Sequence, residues 1–200
     1  QSKNFFRHCL LNGTTTVVAY LSSFLEAAQI AFEEASRTKI RAYLGLTLMD
    51  RGVPKEIQTT AVDAQKNMLS LIDTYHKKNG CEFVVTPRFA LSCTDALLTL
   101  CGEVSHAYKL FLQTHISENT AEVEETLRLF PQCKSYTDVY NVTGCLHERT
   151  LLGHGIHLEA KERQLIREKK SAVIHCPTSN NFLGSGIFSY DTLHKEKTRI

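Results

Sequence analysis

No residue pair in this 200-residue chain forms a C-x-x-C motif: its seven cysteines, at positions 9, 81, 93, 101, 133, 145 and 176, are scattered and odd in number. That spacing argues against a disulfide framework or a zinc knuckle. It predicts instead thiols that fill core space in a reducing, cytosolic setting. Charge of one sign is also lacking. With 23 basic against 21 acidic residues, a net +2 offers no concentrated basic patch for nucleic acid or a membrane surface. Long hydrophobic runs are absent as well: stretches such as 44–48 and 81–87 fall far short of the roughly 20 residues a bilayer-crossing helix needs. Neither G-x-G-x-x-G nor G-x-x-x-x-G-K-[ST] occurs, which lowers the case for a nucleotide-binding doubly wound sheet. Only 4 prolines and 10 glycines exclude a collagen-like chain, and 42% hydrophobic content excludes disorder.

What is present is an alternation of short apolar runs and helical patterns, the signature of parallel βα units. Six are predicted. Their strands lie at 14–21, 39–50, 81–87, 109–117, 150–158 and 171–177, and residues 198–200 open a further strand. The helices between them carry apolar stripes, as in Ala27, Ala28, Ala31, Phe32 and Ala35, or Ala64, Met68, Leu71 and Ile72. Asn119 and Glu122 have capping-box spacing, a short helix is expected around 135–142, and a Ser/Asn/Gly-rich loop is expected after residue 177. The fold class is α/β, and the βα order permits either an open doubly wound sheet or a TIM barrel. The chain opens on Gln1 rather than Met and ends at Ile200 on the start of a strand, which predicts a piece of a longer protein.

Polar and titratable residues gather at the carboxyl ends of successive strands, where a barrel keeps its chemistry. Arg88 follows the third strand, His115 and Glu118 the fourth, His154 and His157 lie at the fifth, and His175 at the sixth. A neutral imidazole at 115 suits zinc, and a carboxylate at 118 suits proton transfer at the same pocket. The alternative is that Glu118 stabilises a helix N-terminus. His154, with a glycine on each side, lets a ligand approach closely. His157, three residues on, points to the opposite strand face and is expected to cap or pack. His175 is open between rim and core. Arg88 can donate to a carbonyl or ring nitrogen of a flat heterocycle whose face Phe89 covers, or it is a solvated loop charge.

At these residues, and at N-G-T-T-T (12–16), L-M-D-R-G-V-P (48–54), V-T-P-R-F-A-L-S (85–92), Q-T-H-I-S-E-N (113–119), Y-T-D-V-Y (136–140), G-H-G-I-H-L (153–158) and H-C-P-T-S-N (175–180), the chain resembles the guanine deaminases, metal-dependent hydrolases of the amidohydrolase superfamily. The resemblance implies a partial TIM-type (β/α)8 barrel over residues 1–200, a single catalytic-barrel fragment running from strand two through strand seven. The activity it implies is zinc-dependent hydrolysis of guanine to xanthine and ammonia, with one zinc per site. His115 then resembles the metal ligand, Glu118 the proton shuttle and His154 the residue orienting the attacking water. Arg88 and Phe89, with His115 and Glu118, resemble the purine-binding residues. A cytosolic homodimer with a small-molecule purine substrate is implied for the complete protein. The family's H-x-H pair and zinc-binding Asp have no counterpart here, so three of the four expected metal ligands are missing. Two rivals follow: an inactive truncated isoform serving as a binding or scaffold module, and an amidohydrolase acting on another amino-heterocycle.

Overall fold

A computed structural model describes residues 1–200. After a helix α1 (Ser2–Leu11), strands and helices alternate: β1 (Thr16–Leu21), α2 (Leu25–Thr38), β2 (Arg41–Leu48), α3 (Ala61–Tyr75), β3 (Cys81–Phe83), β4 (Thr86–Pro87), α4 (Asp95–Tyr108), β5 (Leu112–Ile116), α5 (Thr120–Leu129), α6 (Tyr136–Val142), β6 (Thr150–His154), α7 (Ala160–Glu168), β7 (Ala172–Ile174), α8 (Pro177–Leu183) and α9 (Tyr190–Lys195). None of the helices is long and apolar enough to cross a membrane.

Local chemistry sets many of the boundaries. The side chains of Thr60, Thr94 and Asn119 accept from the backbone N–H three residues on and start α3, α4 and α5; at α5 the Asn119–Glu122 capping box is complete. Helix α2 buries Ala28, Ala31, Phe32 and Ala35, and α3 buries Ala64, Met68, Leu71 and Ile72. Apart from Ala31, these residues join one core cluster of 37 buried residues between the helices and the sheet.

Every strand pairing is parallel, and the order follows the chain: β1 beside β2, β2 beside β3 and β4, β5 beside β6, β6 beside β7. A bridge from Val85 to Leu112 joins the two halves, and Arg199 pairs with Ala172 as a further strand begins. A doubly wound sheet would reverse its strand order. The unreversed order makes this an arc of a barrel.

Three expectations need correction. The predicted strand at 81–87 divides into β3 and β4: between them Val84 N–H bonds to Leu44 O and Val85 N–H to Phe111 O, and β4 pairs with β2 again. The predicted strand at 150–158 ends at His154, where the backbone takes a left-handed φ of 75°. The loop expected after residue 177 is helix α8: Pro177 supplies a preset helical φ at its first turn, and Gly184 closes it at φ 67°.

Inside the arc, β1 turns Val18 and Tyr20 outward from the core, while Val17, Ala19 and Leu21 pack toward it. The Gln113 side chain spans this concave face, donating to Ala19 O at 3.1 Å and to Thr86 Oγ1 at 3.0 Å. Gly45 makes room for that link, since a Cβ there would lie 1.7 Å from Thr86 Oγ1.

Candidate active site at the carboxyl ends of the strands

His115 occupies the penultimate position of β5. Its Nδ1 lies 2.7 Å from the carbonyl oxygen of Arg88, which has no proton of its own, so Nδ1 donates and Nε2 carries the lone pair. That is the tautomer a metal-ligating imidazole needs, with its second nitrogen held by a carbonyl. Burial pushes the His115 pKa below its ordinary value, partly opposed by the Arg88 carbonyl, and keeps the ring neutral near pH 7. Three rings surround it: Tyr20 at 4.7 Å, His154 at 5.3 Å and Phe89 at 6.2 Å between centroids.

Beyond β5 the chain turns through Ser117, at φ 47°, and delivers Glu118. The Glu118 carboxylate makes no capping hydrogen bond to the helix that follows it. Glu122 caps α5 instead, its Oε2 accepting from Glu118 N–H at 2.9 Å and from Asn119 N–H at 3.3 Å. The Glu118 side chain is thereby released from the helix end. Its Oε1 is buried with no hydrogen-bond partner and lies 3.6 Å from His154 Nδ1. An unpaired buried carboxylate oxygen is costly to keep as structure alone, and it is poised to bind a proton or a ligand.

By simple strand alternation His154 would face the helices. Its left-handed backbone and the helix α8 opposite it re-aim the ring, which is 4% exposed, stacks on His115 and lies 2.8 Å from Asn180 Oδ1. A non-glycine residue held at positive φ in a buried strand end is strain of the kind that concentrates at functional sites.

Arg88 and Phe89 follow β4. The Arg88 guanidinium is exposed and sits 4.9 Å over the Phe89 ring, so the pair forms one flat rim element. Sequence reasoning missed the residues that fix this rim. The Arg51 guanidinium donates to the carbonyls of Ala90, Leu91 and Cys93, and Asp50 accepts from both Thr94 N–H and Thr94 Oγ1. Tyr140 on α6 is fully buried; its hydroxyl accepts from Ala90 N–H at 3.0 Å and donates to His115 O at 2.7 Å, tying rim to strand. Tyr136, one turn earlier, donates to Glu122 Oε1 at 2.8 Å and so braces the turn that carries Glu118. Two tyrosines four apart in an otherwise polar segment were the available signal for one buried helix face.

A cavity of about 230 Å³ opens beside His115 and His154, lined also by Tyr20, Gln113, Gly153 and Cys176; Glu118, Arg88 and Phe89 are not among its lining residues. His157 is outside it, its Nε2 donating to Ser185 O at 3.0 Å. His175 is an exposed rim residue stacked on Phe188 at 4.5 Å. No three His, Cys, Asp or Glu side chains converge in a metal-holding group; the bond from Nδ1 to Arg88 O leaves His115 Nε2 with its lone pair.

Residues 2–200 match the sequence profile of the Amidohydrolase family. The chain belongs to the amidohydrolase family. Among the relatives of this amidohydrolase chain, a guanine deaminase of Dictyostelium discoideum is 38% identical over 179 residues, covering 88% of this chain and 40% of the relative. Among solved structures, guanine deaminase of E. coli superposes with a TM-score of 0.96 at 31% identity, over 98% of this chain and 46% of its own. The guanine deaminase of C. acetobutylicum, solved with guanine bound in its active site, gives a TM-score of 0.95 at 29% identity, over 98% of this chain and 47% of its own. The chain thus spans about two fifths of the length of the curated relatives it matches.

Proposed function

We propose that this chain is the central part of a guanine deaminase, supplying the proton-transfer and purine-recognition residues for hydrolysis of guanine to xanthine and ammonia. The observation that carries the reading is the buried, unpartnered Oε1 of Glu118, 3.6 Å from the Nδ1 of His154, whose ring stacks on that of a neutral His115. The relatives' shared name supports the choice of substrate.

A zinc ion fits what is present: His115 would hold it through Nε2, with the remaining ligands supplied from outside these 200 residues. When bound, zinc lowers the pKa of a ligated water to about 7. The chain's own residues divide the remaining work. Glu118 takes a proton from the attacking water and hands it to the 2-amino nitrogen, which leaves as ammonia when its bond to the ring carbon breaks. His154 orients the water. Arg88 donates to the carbonyl or a ring nitrogen of the purine, and Phe89 covers its flat face. Tyr20, its ring 4.7 Å from that of His115, lines the cavity beside it.

The same proposal places the complete enzyme in the cytosol as a homodimer whose partner is a small purine, not nucleic acid or a membrane. Seven unpaired cysteines and a net charge of +2 support the compartment and the partner class. The test is ammonia release from guanine by the complete, zinc-loaded protein, abolished by a chelator and restored by zinc. Inertness toward guanine alongside turnover of a different amino-heterocycle would overturn it.

A further inference from the structure

Helix α8 sets one side chain against His154 that the reaction scheme above does not use. Asn180 is 2% exposed, and its backbone is held on both sides: its N–H donates to Cys176 O and its carbonyl accepts from Ser185 N–H, each at 2.9 Å. Its Oδ1 lies 2.8 Å from His154 Nδ1, while its Nδ2 is buried without a partner. The amide is therefore committed to one bond, from the imidazole.

We propose that Asn180 is a positioning residue that fixes the tautomer of His154 and keeps its Nδ1–H away from Glu118. The inference rests on the reading of His154 and Glu118 as a water-orienting residue and a proton carrier. An amide oxygen is acceptor only, so its partner Nδ1 must be protonated and Nε2 must carry the lone pair. Glu118 Oε1 competes for the same hydrogen from 3.6 Å. With Asn180 in place the nearer oxygen wins, and the carboxylate stays unpaired. Without it, the imidazole hydrogen turns to Glu118, occupying the oxygen that has to accept the water proton and withdrawing the ring from the water. Both effects act on the chemical step and leave the purine contacts of Arg88 and Phe89 intact. The strained φ of 75° at His154 adds to the case, because a ring re-aimed by its backbone still needs a partner to fix its rotation.

The experiment uses the complete, zinc-loaded protein with guanine as substrate. Asn180→Leu, close in volume but without an acceptor, is expected to lower kcat about 100-fold with KM within about twofold. Asn180→Asp keeps an oxygen acceptor but replaces the unpartnered Nδ2 with a second oxygen and a negative charge, and is expected to retain more of the kcat than Asn180→Leu. In a His154→Ala background, Asn180→Leu is expected to add no further loss, since it acts through the missing ring. A long-range ¹H–¹⁵N spectrum of His154 is expected to show Nδ1 protonated in the parent protein and in Asn180→Asp. If Asn180→Leu does not fold, Asn180→Ala is read in the same way. Unchanged kcat in Asn180→Leu, a fully multiplicative loss in the double variant, or an Nε2-protonated His154 would each overturn the proposal. A parent protein that leaves guanine untouched sinks the deaminase reading instead, and the spectrum alone then decides on Asn180.

Discussion

Each end of the sheet carries two histidine rings in contact. At the carboxyl end His115 and His154 lie 5.3 Å apart; at the amino end His106 and His147 lie 4.7 Å apart. The two pairs differ in what their hydrogen bonds leave over. Ser105 Oγ donates to Leu110 O and therefore accepts from His147 Nε2, at 2.8 Å, while His147 Nδ1 accepts from Arg149 N–H at 3.2 Å. Both ring nitrogens are consumed within the fold, and burial pushes the His147 pKa down to about 4. At the carboxyl end, His115 keeps one nitrogen free and Glu118 one buried oxygen free. Ring proximity and lowered pKa are common to both ends. The unspent donor and acceptor capacity separates a site from a strut, in line with the division of barrels into a reactive carboxyl face and a stabilising amino face.

The largest break in this contrast should come from Glu118→Gln in the complete enzyme. It is expected to lower kcat by about 10³- to 10⁴-fold with zinc content and the urea unfolding midpoint unchanged. Steady-state turnover, metal analysis and a urea titration check it together, and equal kcat would erase the distinction between the two ends. Next is Gly102→Ala in α4, behind the amino-end pair. The added Cβ would meet Thr143 O at 2.3 Å, a backbone atom in the turn that accepts from His106, so stability should fall by about 2–3 kcal/mol. Chemical unfolding reads that loss, and turnover per folded molecule should stay at the parent value.

Arg88→Ala should raise KM about tenfold while changing kcat less, because the guanidinium sits on the rim over Phe89. Substrate-saturation curves give both constants. The smallest effect near neutral pH belongs to His147. Its folded pKa, about 4, lies below the unfolded value of about 6.5, so above pH 6.5 neither state holds the proton and the stabilisation is complete. As pH falls from 6.5 toward 4, the unfolded chain takes up a proton that the folded chain refuses, and stability drops. Urea midpoints across that window should fall more steeply for the parent than for His147→Gln. Parallel slopes would show that burial does not disfavour the charged ring.

The βα alternation was legible because helix and strand periodicity are properties of neighbouring residues, and the same holds for the Asn119–Glu122 capping box, closed within one turn. His115, Glu118, His154, Arg88 and Phe89 were legible as a group because each ends a strand or follows one. Helix α8 was not, since a Ser/Asn-rich stretch reads as a turn; Pro177 and Gly184 were its boundary signals, and contact with His154 gives it a buried face. Tyr140 and Arg51 escaped for a related reason. Their polar atoms bond backbone groups 25 to 50 residues away, and a backbone group has no sequence signature.

By itself, the sequence determined the alternation of strands and helices and which chemical groups reach the sheet's carboxyl end, because both follow from spacing along the chain. The tertiary structure alone decided which nitrogen of His115 is free, that Glu122 rather than Glu118 caps α5, and that Asn180 stands against His154. Those outcomes depend on which donor lies nearest each acceptor, and Arg88, His115, His154 and Asn180 become neighbours only after the intervening helices have packed.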